Sequence, residues 1–312
     1  MTAFCPTTVA CGPGALRRAL DQVRHLREAT PGRAARVLPA HLESNFISPD
    51  YRGAQPLACL RSPATIGSGP GSGDFSADDI LREIERAAPD VGIVTLAPEL
   101  DGGLDLVRWL VARGHLVSIG HSRASYDEAL EAIASGARHA THLFNRMPPF
   151  EHRAPGLVGA ILETQEVAAE LICDGFHLHP AVIRTAVAAK RPSRVMAITD
   201  GTGASGLAAG ARATLGGRPI TVRESAAFLD DGTLAGSATT MDRVFQLLVG
   251  PIGLSPIDAV TLCSTTPARE LGLIGHGVLA ADAVADLVVL DARLSVVQTY
   301  VAGELVYSRQ AE

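Results

Sequence analysis

The sequence predicts an α/β protein built on a (β/α)8 barrel, with a small antiparallel sheet at its C-terminal end. Three observations lead there. Short apolar runs alternate with helical patterns from Phe4 to Asp200, the rhythm of parallel strands joined by helical crossovers. Several of those runs end in a residue able to do chemistry: Glu43, Glu99, His121, His142, His177 and Asp200. The tail then changes to apolar–polar alternation around an Ala-Gly turn, which is the pattern of strands with one face covered. The expected division is a barrel domain over 1–280 and separate strands over 281–312.

Taken in order, residues 4–9 read as a strand, 15–28 as a helix and 35–42 as a second strand. Residues 61–76, "RSPATIGSGPGSGDFS", are rich in Gly, Ser and Pro and read as a loop. Five further strands are expected at 91–96, 115–119, 139–143, 168–172 and 194–199, with helical segments such as 104–112 and 181–189 between them. Ser125 followed by Glu128 is a capping box that starts a helix. Beyond Asp200 the rhythm breaks. Residues 213–228 read as a β-hairpin insertion and 241–249 as a helix. Ser255 caps another helix with Pro256 in its first position.

Composition excludes several classes. The chain has 312 residues, 47% of them hydrophobic and 19% charged, enough for one large core and a smaller unit. A net charge of −6 gives no electrostatic reason to expect nucleic acid. No apolar run is long enough to span a bilayer, and no basic-plus-apolar leader opens the chain. The cysteines at 5, 11, 59, 173 and 263 form no CxxC pair. A reduced, cytoplasmic protein is the expectation.

In a barrel the carboxyl ends of all strands open onto one face, so residues far apart in sequence converge there. The 21-residue step from His121 to His142 suits neighbouring βα units and is far too long for an HExxH helix. Two histidines and a carboxylate form a three-ligand set that leaves a position open for water, and Glu43, His121 and His142 fit it. Such a set takes one divalent ion, zinc first, with iron, manganese or cobalt also admitted. Asp200 suits proton transfer to and from that water, and His177 suits polarising a substrate carbonyl. Each has a plainer reading: a hydrogen-bonded structural histidine, a helix cap for Asp200, a simple ion pair for Glu99.

The motifs "HLESNF", "TLAPE", "GHSRASYDEA", "THLFNRMPP", "HRAPGLVGA", "DGFHLHP", "TDGTGASG" and "DGTLAGSATTMD", in this order, resemble those of the N-acetylglucosamine-6-phosphate deacetylases of the amidohydrolase superfamily. The resemblance runs from "FCPTTV" to the "GELVY" tail. It implies a barrel of the metallo-dependent hydrolase type. Glu43, His121 and His142 match the family's metal ligands, Asp200 its catalytic acid/base, and His177 the histidine on the acetamido carbonyl. Asn145 and Arg146 match positions holding the sugar phosphate. Arg153 matches an arginine reaching the neighbouring subunit's substrate, which implies a homodimer. Ala54 and Gln55, Asp174, Gly175 and Phe176 beside His177, and Leu234, Ala235 and Gly236 match further substrate contacts. The implied reaction releases acetate and glucosamine 6-phosphate.

The sequence departs from this pattern in four places. It starts at what resembles the second barrel strand, so the first βα unit, with its HxH-type metal position, and the sandwich partners of the tail strands are expected to be missing. Ser44 and Asn45 stand where the family usually has Gly-Pro. Gln55 stands where a sugar-binding histidine is usual, and an amide carries no positive charge. Gly201 stands directly after Asp200, where many members have Ala. Two other readings therefore remain: a deacylase of another N-acylated sugar or of a cyclic amide, and a non-catalytic truncated homologue.

Overall fold

The computed structural model describes residues 1–29, 34–68 and 74–310. The chain opens with β1 (Ala3–Phe4), β2 (Thr7–Thr8), α1 (Pro13–Glu28), β3 (Arg36–Val37) and β4 (Ala40–Glu43). The single strands expected at 4–9 and 35–42 are thus each divided. Pro6 and Pro39 lie in the breaks, and neither has an N–H for a ladder. The halves part company: β1 pairs with β3 in a two-stranded parallel ribbon, while β2 and β4 enter the main sheet.

That sheet continues through α2 (Ala77–Arg86), β5 (Val91–Leu96), α3 (Gly103–Ala112), β6 (Leu116–Ile119), α4 (Tyr126–Ala134), β7 (His139–Ala140), α5 (Gly156–Glu163), β8 (Ala168–Ile172), α6 (Pro180–Lys190) and β9 (Val195–Ile198). Its seven strands run in the order β2-β4-β5-β6-β7-β8-β9, every neighbouring pair parallel. It curls as a half-barrel whose edge strands, among the described residues, are β2 and β9. Of the expected Gly-rich loop, residues 69–73 lie outside the described part, and the rest forms no strand. The capping box forms as read, with Ser125 Oγ accepting from the Glu128 N–H and Glu128 bonding back to the Ser125 N–H.

The apolar stripes of the helices pack on the strands. Leu16 and Leu20 of α1, Ile80 and Ile84 of α2, and Leu106 and Leu110 of α3 are buried against Leu42, Val94 and Ile119. A paired polar ladder links neighbouring strands: His41 Nε2 lies 2.7 Å from Thr95 Oγ1, which lies 2.7 Å from Thr141 Oγ1, which lies 2.6 Å from Ser118 Oγ. Each group in it has a partner, so burial carries little penalty.

The expected hairpin at 213–228 is larger. Strands β10 (Arg212–Leu215), β11 (Arg218–Arg223), β12 (Ala226–Leu229) and β13 (Leu234–Ser237) form a four-stranded antiparallel meander. It has its own apolar cluster, including Ile220, Val222, Ala227 and Leu229. Helix α7 (Met241–Val249) follows, then α8 (Pro256–Val260), a π-helical turn (Thr261–Thr265) and α9 (Thr266–Glu270). The tail forms β14 (Leu287–Leu290), β15 (Val296–Val301) and β16 (Glu304–Ser308), antiparallel and in that order. It is tied to the start of the chain by an ion pair between Arg36 and Asp286. Among the described residues, no helix is long and apolar enough to cross a membrane.

Candidate active site

The residues expected to do chemistry stand where the strands of the half-barrel end. Glu43 is the last residue of β4, His121 and His142 follow β6 and β7 by two residues, His177 lies in the loop after β8, and Asp200 follows β9. The chain turns sharply at these points. His121, His142 and Asp200 have φ of 48°, 31° and 49°, and Phe144 and Arg146 have φ of 77° and 52°. Left-handed backbone at non-glycine residues costs about 1–3 kcal/mol each and persists only where the surroundings enforce it. Here it aims three side chains across one mouth.

Glu43, His121 and His142 converge. Glu43 Oε1 lies 2.8 Å from His121 Nε2 and 3.0 Å from His142 Nε2, and the two Nε2 atoms are 3.0 Å apart. The His121 ring is fixed by Nδ1, 2.7 Å from the Tyr51 carbonyl oxygen. Nδ1 must be the donor there, so a neutral His121 turns a lone pair toward Glu43 and His142. His142 Nδ1 is buried with no partner. Two imidazole nitrogens and a carboxylate oxygen brought this close together suit a divalent cation. Among the described residues this is the one group of three such ligands within reach of a common ion.

The electrostatics point the same way. Burial pushes the Glu43 carboxyl up, but the charges and hydrogen bonds of His121 and His142 outweigh it and hold Glu43 well below the usual carboxylate range. Burial pushes His142 down, yet its hydrogen bond to Glu43 and the charges of Glu43, Asp200 and Glu170 raise it to about 9. The pocket thus favours a positive charge at this point. Asp200 is shifted the other way: burial and the nearby Glu43 raise its carboxyl, against His142, His177 and His121.

The surrounding residues hold this arrangement. Asp174, its side chain fully buried, places Oδ2 2.7 Å from His177 Nδ1 and accepts the N–H groups of Phe176 and His177 on Oδ1. Asp174 therefore orients His177, which leaves only Nε2 free. Burial pushes Asp174 up, and its bonds and proximity to His177 more than reverse that shift. The Ser237 N–H donates to the Asp200 carbonyl, and a Cβ on Gly236 would meet that oxygen at 2.8 Å. With φ of 82° as well, position 236 requires glycine. Ala235 is buried in the meander's cluster, with Leu234 beside it. Gly175 faces Leu247, and the Phe176 ring meets Phe228 edge-on at 5.7 Å.

The two departures after Glu43 have local roles. Ser44 Oγ donates to the Thr95 carbonyl and accepts the Phe46 N–H. Asn45 Nδ2 donates to the carbonyls of Cys11 and Cys59, at 2.8 and 2.7 Å, and so staples two loops together. Gln55 donates to Glu43 Oε2 and accepts the Ala10 N–H, while the neighbouring Ala54 carbonyl accepts from Arg218 of β11. Glu99 does not join the three ligands; it accepts from Ser122 Oγ and the Arg123 N–H, which fixes the turn that carries His121. Asn145 folds its amide back onto the His142 carbonyl. Arg146 and Arg153 are exposed, and Arg146 lies over Gly53. Sequence reasoning missed the Tyr51 carbonyl and the Ser237 N–H altogether, because backbone groups have no letter of their own.

A sequence model described as the amidohydrolase family matches residues 108–306. The human protein named N-acetylglucosamine-6-phosphate deacetylase is 39% identical over 320 residues, covering 100% of this chain and 74% of that one. The chain belongs to the N-acetylglucosamine-6-phosphate deacetylase family. A solved relative, N-acetyl-D-glucosamine-6-phosphate deacetylase of Mycobacterium smegmatis in a mutant form complexed with N-acetyl-D-glucosamine-6-phosphate, superposes with a TM-score of 0.85 at 35% identity, over 98% of this chain and 77% of that one. An N-acetylgalactosamine-6-phosphate deacetylase of Escherichia coli O157:H7 is 31% identical over 97% of this chain and 76% of its own length. The chain thus spans about three-quarters of these relatives, and its half-barrel is a deacetylase-family fold with seven parallel strands.

Proposed function

We propose that this chain hydrolyses the N-acetyl group of N-acetylglucosamine 6-phosphate, giving acetate and glucosamine 6-phosphate, with one divalent ion at Glu43, His121 and His142. The observation that carries the proposal is the convergence of those three ligand atoms beside a half-buried Asp200 whose carboxyl is raised. A divalent cation in such a set lowers the pKa of a water to about 7 and polarises a carbonyl oxygen. Asp200 takes a proton from the attacking water and delivers it to the departing sugar nitrogen, a double duty that a raised carboxyl pKa favours. His177, oriented by Asp174, directs Nε2 at the oxygen where negative charge develops. Asn145, Arg146 and Arg153 are the proposed phosphate-side contacts, since the planar guanidinium pairs bidentately with phosphate. Arg153, exposed in the single chain, would act across a homodimer. In this reading the barrel domain spans 1–280, and the tail from 281 on, with strands β14 to β16, is a separate small domain.

Release of acetate from N-acetylglucosamine 6-phosphate by the metal-loaded chain tests this reading. N-acetylgalactosamine 6-phosphate and unphosphorylated N-acetylglucosamine are the comparison substrates. The galactosamine relative motivates a second reading, in which the sugar differs and the chemistry does not. Faster turnover of the galacto substrate would select it. Arg153→Ala should raise KM for a phosphorylated substrate at least tenfold and leave it nearly unchanged for an unphosphorylated one. Stoichiometric metal without turnover of any N-acetyl sugar would identify a non-catalytic homologue.

A further inference from the structure

Gln55 is 5% exposed and its amide is engaged at both ends. Its Oε1 accepts the N–H of Ala10, just past β2, at 2.8 Å, and its Nε2 donates to Glu43 Oε2. The two Glu43 oxygens are therefore divided between tasks. Oε1 faces the His121 and His142 nitrogens, and Oε2 is held by Gln55. We infer that Gln55 is a positioning residue for the metal ligand Glu43: it anchors Oε2 to the loop after β2, so that Oε1 alone is offered to the cation. The inference rests on the proposed metal-dependent function and assigns this side chain to the metal's outer shell rather than to the sugar.

The physical case is the one that applies to ligand-orienting groups in general. A carboxylate with one oxygen fixed by a donor loses its freedom to rotate between one- and two-oxygen binding, and its ligating oxygen is held at a set angle. Removing such outer-shell partners typically costs 10–100-fold in metal affinity. An amide suits the task because it donates and accepts at once and stays neutral across the physiological range. The same span links the metal site to edge strand β2, so the placement of that strand bears directly on ligand geometry. His121 has an equivalent support in the Tyr51 carbonyl, so two of the three ligands are braced from outside.

The test is zinc affinity of the full chain, measured by chelator competition, together with the visible spectrum of the cobalt-loaded protein. Gln55→Leu fills the same space without a donor. It should weaken zinc binding 10–100-fold and alter the cobalt spectrum, while the melting temperature of the metal-free protein moves little. If loss of the Ala10 partner unfolds that variant, Gln55→Glu keeps the acceptor and removes the donor, and should weaken zinc binding at least tenfold. Zinc affinity within twofold of wild type, with a raised KM for the sugar phosphate, would overturn the inference and make Gln55 a sugar contact. A wild type that binds no divalent ion would sink the proposed function and this inference with it. A wild type that binds one ion while the variants match it sinks the inference alone.

Discussion

His139 and His142 stand three residues apart, the first in β7 and the second two residues past its end, and meet opposite chemistry. His142 follows β7 at the carboxyl-end mouth, where it faces Glu43 and a second imidazole. His139 begins β7 at the other end, buried, with Nε2 3.7 Å from Glu270 Oε2. Glu270 also pairs with Arg194 at 3.1 Å and Arg269 at 2.7 Å. Glu43 and Glu270 are both largely buried glutamates, 13% and 11% exposed. Glu270 is met by two guanidiniums that stay charged at any accessible pH, so its charge is already compensated. Among the described residues Glu43 is met by no guanidinium but by two imidazoles whose Nε2 atoms lie within 3.0 Å of its Oε1, a group of three atoms that a single divalent cation could bridge. The carboxyl end of this half-barrel gathers the candidate metal ligands and the amino end a charge-compensated ion-pair cluster, the division that barrel architecture leads one to expect.

The largest effect should come at the mouth. Asp200→Asn is expected to lower turnover by about 10²–10⁴-fold, the range for a lost general acid/base, with metal content unchanged; parallel acetate-release and metal analyses check it. Unaltered turnover would end the proposed mechanism. Next, His142→Ala should abolish stoichiometric metal binding, whereas His139→Ala should keep the metal and cost roughly 1–3 kcal/mol of stability, the ordinary range for a buried truncation. If both variants lost the metal equally, the contrast between the two ends would fail. Glu270→Ala should behave like His139→Ala. Breaking a buried pair costs about 3–5 kcal/mol, and the low end applies because Arg194 and Arg269 can turn to water. Denaturant unfolding of the metal-free proteins measures it.

The sequence made the mouth legible for a specific reason. An apolar run ending in Glu, His or Asp shows both the strand and the side chain at its end, which is why Glu43, His121, His142 and Asp200 could be named from spacing. "HATH" presents His139 and His142 in identical style, and only the position of the strand between them separates a ligand from a stabilising contact. Gln55 could not be read as a brace for Glu43, because its partners lie 45 and 12 residues away and one is a backbone N–H. Strand β13 was missed because "LAGS" has no apolar alternation; its small residues serve close approach to Asp200. The breaks at Pro6 and Pro39 are marked in the sequence by the prolines themselves, but each proline sits inside an apolar run that otherwise reads as one strand.

The smallest expected effect concerns acid. Burial pushes Glu270 up, but His139 and Arg269 more than compensate and lower its carboxyl from 4.5 to about 2. A carboxyl depressed in the folded state contributes stability that is fully present above its unfolded pKa and is lost as pH falls through the folded one. For Glu270 that window runs from 4.5 down to about 2. The full shift corresponds to about 3 kcal/mol, only part of which is lost at a pH where most proteins can still be studied. Glu270→Gln removes the charge and keeps the shape. The stability difference between wild type and Glu270→Gln should be greatest at pH 6–7 and shrink steadily below pH 4.5, with zinc affinity at pH 7 the same in both. A difference that stays constant with pH would mean that Glu270 acts through packing alone, and the charge contrast with Glu43 would then rest on the mouth by itself.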